Sequence, residues 1–105
     1  MSKINQLKAF LEMDANDGFT RFALAMEYRK AGQLDQSHAT FRDLLKRDPD
    51  YIGAYYHFGK LLTEMGSEEE ARFVYEKGIE CALKHNDNHA ASELRQALVE
   101  LDWND

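Results

Sequence analysis

The sequence is short of the residues that staple chains or carry them into membranes. A single cysteine, Cys81, in 105 residues excludes an intramolecular disulfide framework and any all-cysteine zinc site. No apolar run approaches the ~20 residues of a membrane span, and Met1-Ser2-Lys3-Ile4-Asn5-Gln6 lacks the hydrophobic stretch of a signal peptide. Positive charge is scarce, with 13 basic against 19 acidic side chains and a net charge of −6. Phosphate contacts need clustered Lys and Arg, so a general role on nucleic acid or anionic membranes is disfavoured. With one proline, six glycines, 44% apolar and 11% aromatic residues, the chain is a folding one. The expectation is one compact cytoplasmic domain with no membrane or nucleic-acid partner and no cofactor.

What the chain does have is an internal period. A shift of 34 residues lays Leu24 on Phe58, Ala25 on Gly59, Tyr28 on Leu62 and Gly32 on Gly66. It continues through Ser37 on Ala71, Phe41 on Tyr75 and Leu45 on Ile79, with Leu34 on Glu68 a mismatch. One period earlier, Leu7, Phe10, Leu11 and Asp14 fall under Phe41, Leu44, Leu45 and Asp48. Residues 1–17 therefore read as half a repeat, 18–51 and 52–85 as two full repeats, and 86–105 as a cap.

Each repeat reads as two helices. Phe19, Phe22, Ala23, Met26 and Lys30 share one face and Leu24, Ala25 and Tyr28 another, a 3.6-residue period without strand alternation. Gly32 and Gly66 suit left-handed helix ends, and Asp48-Pro49-Asp50 closes the second helix. Ser67-Glu68-Glu69-Glu70 has the form of a capping box. The small residues Ala25 and Gly59 would admit Phe41 and Tyr75 from the partner helix, with Ser37 and Ala71 serving the reciprocal contact. Gly78 also calls for a packing reason, since a helical Gly costs about 1 kcal/mol relative to Ala. Past Leu83 the polar run Lys84-His85-Asn86-Asp87-Asn88-His89 precedes a stripe of Ala91, Leu94, Ala97, Leu98 and Leu101, read as a capping helix over 88–102. The fold class is all-α, with about six helices.

The order of large and small sites resembles the tetratricopeptide repeat family. The resemblance rests on Leu24, Ala25, Tyr28, Gly32, Ser37, Phe41 and Pro49, then Tyr55, Phe58, Gly59, Leu62, Gly66, Ala71 and Tyr75. It covers residues 18 to about 83. Arg21 departs from it, standing where a large apolar residue is usual and where the next repeat has Tyr55. Ala15 and Leu83 replace the closing proline, and Gly78 replaces a more usual alanine. The resemblance implies a right-handed superhelix of antiparallel hairpins and a non-enzymatic protein-interaction module. Its first helices would line a concave groove for an extended peptide or a partner's helix.

On that pattern the groove falls on Phe22, Met26, Arg29 and Lys30 of one repeat and Tyr56, His57, Lys60 and Thr63 of the next. Aromatic, Met and Arg side chains suit an interface. Residues 18–51 carry six basic and five acidic side chains, whereas 86–105 carry one and five. A partner with apolar anchors and some negative charge is the complement. Alternatively, Phe22 and Met26 pack against the N-terminal half-repeat. In a third reading Phe22, Met26 and Tyr56 form a homodimer interface, making the chain a self-associating scaffold. The Lys and Asn clamp by which some family members hold acidic chaperone tails is not reproduced: Phe22, Met26 and His57 stand in its place.

Enzymatic chemistry has little to stand on. Cys81, His85 and His89 are four residues apart, with Asp87 between the histidines, and on one continuous helix could gather a metal. Asn86-Asp87-Asn88 reads as a helix break that scatters them, so metal-binding or hydrolytic use of His85 and His89 is the minor reading. No catalytic set and no metal site are assigned. Cys81, near Glu76 and Glu80, reads as buried and structural. Trp103 is either the cap's last packing contact or an exposed anchor.

Overall fold

In the computed structural model residues 2–103 are described. They form six α-helices: α1 (Lys3–Met13), α2 (Gly18–Lys30), α3 (Leu34–Arg47), α4 (Ile52–Glu64), α5 (Glu68–Lys84) and α6 (Asn88–Trp103), with no strand among the described residues. The chain divides between Tyr51 and Ile52 into two compact units.

Helix ends follow the period. The Asp14 amide donates to the Phe10 carbonyl and the Asp48 amide to that of Leu44. Each aspartate then accepts from the amide two residues on, Asn16 at 3.2 Å and Asp50 at 3.1 Å. Gly32 (φ +78°) and Gly66 (φ +79°) are left-handed, and the amides that follow them, of Gln33 and Ser67, reach back to the carbonyls of Tyr28 and Leu62. Asn86 (φ +58°) ends α5 the same way, with the Asp87 amide on the Ala82 carbonyl. Asn is the side chain that best tolerates this region after Gly.

One expected cap is corrected. Ser67 makes no side-chain capping bond. Its own amide is already committed to closing α4, so the reciprocal half of a capping box has no free donor there. Side-chain caps form elsewhere: Ser2 accepts from Asn5, Asp17 from Thr20 and Asp87 from Ala90.

In the first unit α2 packs on α3, with Ala25, Ser37 and Phe41 fully buried. The Ser37 hydroxyl donates to the Ala25 carbonyl at 2.7 Å. Arg21, the departure from the repeat pattern, is buried as well. Its guanidinium donates to the Ala15 carbonyl at 2.6 Å and lies 3.1 Å from the Asp43 carboxylate, which also pairs with Arg47. The guanidinium thus ties the α1–α2 turn to α3, and no buried side-chain polar atom among the described residues lacks a partner.

In the second unit α5 packs against both α4 and α6. A Cβ on Gly59 would sit 2.2 Å from the Tyr75 ring, and one on Gly78 would sit 2.6 Å from Tyr55 Cβ and 2.9 Å from Leu94. Both glycines are therefore required by close approach of side chains across the hairpins. Leu61, Leu62, Ala71, Tyr75, Ala82, Ala91 and Leu94 complete this core. Fully burying a side chain such as Leu contributes about 1.5–3 kcal/mol. Cys81 is buried, as expected, and Trp103 is 82% exposed, so it is not a packing contact of α6.

Candidate functional site

In the first unit, α2 presents the residues assigned to the groove. Phe22 is half-buried: its ring stacks on Tyr51 at 5.5 Å and meets Phe41 edge-on at 6.2 Å. Burial, with the charges of Asp17 and Asp48 close by, pushes the Tyr51 phenol above its ordinary pKa. Phe22 is thus engaged in aromatic packing with Phe41 and Tyr51 inside its own unit. Met26 and Arg29 are half-buried and Lys30 is exposed. Phe19, three residues before Phe22 on the same face, is 73% exposed. The spacing placed it on this face, but exposure is what makes it an available aromatic.

In the second unit, Tyr56 and His57 are half-buried and meet edge-on at 5.4 Å. The Lys60 ammonium lies 5.7 Å from the centre of the Tyr56 ring and 3.8 Å from the Glu100 carboxylate. Thr63 donates to the Gly59 carbonyl at 2.9 Å. Tyr56 faces α6 across an open cleft of about 370 Å³ whose other walls are Ser92, Glu93, Gln96, Ala97 and Glu100. Lys60 is therefore not an uncompensated cation, and the face of α4 is shared with an acidic helix.

The sequence reading missed that contribution of α6. A 34-residue shift carries the end of α3, Arg47, to Cys81, yet α5 continues to Lys84. The extra turn rotates the positions of α6 out of the 34-residue register. Only the exposed placement of Glu93, Gln96 and Glu100 beside the Ala91–Leu94–Ala97–Leu101 stripe could have signalled it.

The single helix required by metal or hydrolytic use of His85 and His89 does not form. His85 ends α5, its Nδ1 2.9 Å from the Cys81 carbonyl oxygen, whereas His89 lies in α6, 3.8 Å from Glu93. The left-handed Asn86 separates them.

A tetratricopeptide repeat family model matches residues 28–98. No curated protein matches the chain. A tetratricopeptide repeat domain protein from Salinibacter ruber, solved in solution, is 37% identical over 88% of this chain and 93% of its own, with a TM-score of 0.83. A protein from Bordetella parapertussis is 28% identical over the whole of this chain and 91% of its own, at 0.85. The Yersinia enterocolitica type III secretion chaperone SycD, in complex with a peptide of the translocator YopD, superposes at 0.84 with 17% identity, over 96% of this chain and 78% of its own. No helix of the described residues is long and apolar enough to cross a membrane. Period, hairpin packing and these matches agree: the chain belongs to the tetratricopeptide repeat family.

Proposed function

We propose that this chain is a non-enzymatic protein-interaction module that receives an extended peptide or a partner's helix on the faces of its first helices. The binding residues are, in the first unit, Met26, Arg29 and Lys30 of α2, beside the Phe22 ring packed on Phe41 and Tyr51, and, in the second unit, Tyr56, His57, Lys60 and Thr63 of α4 with Glu93 and Glu100 of α6. The observation that carries this reading is the open cleft lined by the Tyr56 ring and the Glu93 and Glu100 carboxylates, with the Lys60 ammonium close to Tyr56 and Glu100. Such a mixture suits side-chain recognition of a polypeptide better than it suits a small apolar ligand. Support comes also from the family and from SycD, a neighbour in fold solved in complex with a peptide of YopD. In the first unit a partner's apolar anchors would meet Phe19 and Met26, and in the second unit Tyr56. Its anionic groups would meet Arg29 and Lys30, and any cationic group would meet Glu93 and Glu100.

The test uses peptides selected from a displayed random library and measured by calorimetry. Met26→Ala and Tyr56→Ala together are expected to weaken binding at least about tenfold, as loss of interface anchors does. Phe22 is left intact because its truncation would disturb packing on Phe41 and Tyr51. Unchanged affinity in the double variant, with its helicity intact, would refute the placement.

A further inference from the structure

α1 corresponds to α3 at the 34-residue shift, and among the described residues no helix stands to α1 as α2 stands to α3. At the 34-residue shift, Lys3, Leu7, Phe10 and Asp14 correspond to Ser37, Phe41, Leu44 and Asp48. In α3 the first three of these positions are 0%, 0% and 1% exposed, because α2 covers them. In α1 no residue is buried: Leu7 is half-buried, Phe10 is 61% exposed and Met13 is 86% exposed. The stripe that closes each hairpin elsewhere is open here at Phe10 and half-open at Leu7; Met13 lies off it, at the position of the exposed Arg47 in α3.

The stripe itself indicates what covers it. Lys3, Leu7, Phe10 and Asp14 follow the i, i+4, i+7, i+11 spacing of a helix-pairing seam. Read in either direction its chemistry is self-complementary, with a cation at one end, two apolar residues in the middle and an anion at the other. We infer that α1 pairs antiparallel with α1 of a second copy about a two-fold axis. Each Leu7 then meets the partner's Phe10, and each Lys3 meets the partner's Asp14. One symmetric patch serving both copies is how a closed dimer is built. Lys3 has the reach for this: its ammonium pairs with Glu27 at 3.7 Å, but the side chain remains 68% exposed. The dimer leaves the faces of α2 and α4 to their partner, so it is distinct from self-association through Phe22, Met26 and Tyr56. Each assembly would offer two binding faces and gain avidity toward a repeated or dimeric partner.

Few side chains take part, so the dimer is expected to be weak, with a dissociation constant on the order of 10 μM. Sedimentation equilibrium of the full chain from about 1 μM to 1 mM reads it directly. Phe10→Glu is expected to raise the constant at least about tenfold. Lys3→Glu should weaken the dimer about two- to fivefold, as should Asp14→Lys, and the two together should restore it. Lys3→Glu also sets a carboxylate against Glu27, so restoration by the double variant, which leaves that repulsion in place, is the readout that belongs to the dimer. Circular dichroism of each variant checks the fold. A strict monomer throughout the range overturns the inference. So does a dimer that survives Phe10→Glu, or one that Tyr56→Lys dissociates instead.

Discussion

Gly59→Ala adds one methyl group to the middle of α4, where helix propensity alone would reward it with about 1 kcal/mol. The structure reverses that sign. The new Cβ would stand 2.2 Å from one carbon of the Tyr75 ring and 2.6 Å from two others. Tyr75 is 1% exposed, so its ring is enclosed and has no solvent side to retreat to. Overpacking of this kind costs about 1–3 kcal/mol, and an intrusion so far inside van der Waals contact belongs at the upper end. The net expectation is a loss of about 1–2 kcal/mol, which for a chain of this size is a fall in Tm of roughly 4–16 °C. Gly53→Ala is the internal control, because it lies in the same helix and its Cβ would meet nothing within 4 Å. It should raise Tm by a few degrees, through propensity alone. Thermal and urea unfolding followed by circular dichroism measure both. Tyr75→Leu in the Gly59→Ala background should recover part of the loss, with a coupling above about 0.5 kcal/mol. A Gly59→Ala protein as stable as the parent would refute the reasoning.

Arg21→Ala should cost about 1–3 kcal/mol, read by urea unfolding, because it removes the buried guanidinium that donates to the Ala15 carbonyl, while the half-exposed Asp43 keeps its pair with Arg47. Asn86→Gly should stabilise by about 0.5–1 kcal/mol in the same assay, since it relieves the left-handed conformation that ends α5 without removing any of its backbone bonds. Hydrogen bonds from the Thr20 hydroxyl and amide hold the Asp17 carboxyl below its ordinary pKa. A depressed folded-state value means the stabilisation is present above the unfolded value of about 4 and is lost as pH falls through the lower folded one. Between pH 5 and 2 the Tm of the parent should therefore fall more steeply than that of Asp17→Asn, whose cap does not titrate; parallel curves would contradict the assignment.

Much of the fold was legible because its signals are local or strictly periodic. Gly32, Gly66 and the Asn86-Asp87-Asn88 break mark helix ends through backbone conformation, which a residue largely carries with it. The large-to-small pairs, Gly59 with Tyr75 above all, follow from the period, because a repeated hairpin must place the same positions opposite one another. Of the proposed binding residues, those on α2 and α4 were legible and those on α6 were not. Tyr56, His57, Lys60 and Thr63 keep the register of the repeat, whereas the extra turn of α5 moves Glu93 and Glu100 into a place that no 34-residue shift would assign them.

By itself, then, the sequence determined an all-α chain of 34-residue hairpins, its helix boundaries and the small residues that let those helices approach. Tertiary structure alone decided what each remaining polar or aromatic side chain does. Arg21 reads as a flaw in the repeat until Asp43 and the Ala15 carbonyl are seen around it. Ser67 reads as a cap until its amide is found closing the helix before it. Phe22 and Phe10 are both aromatic residues on a helix surface, yet one is packed on Tyr51 and Phe41 and the other stands open. The physical reason is common to all four: helix formation depends on neighbours within a few residues, whereas pairing and exposure depend on which element lies opposite, or on none lying there.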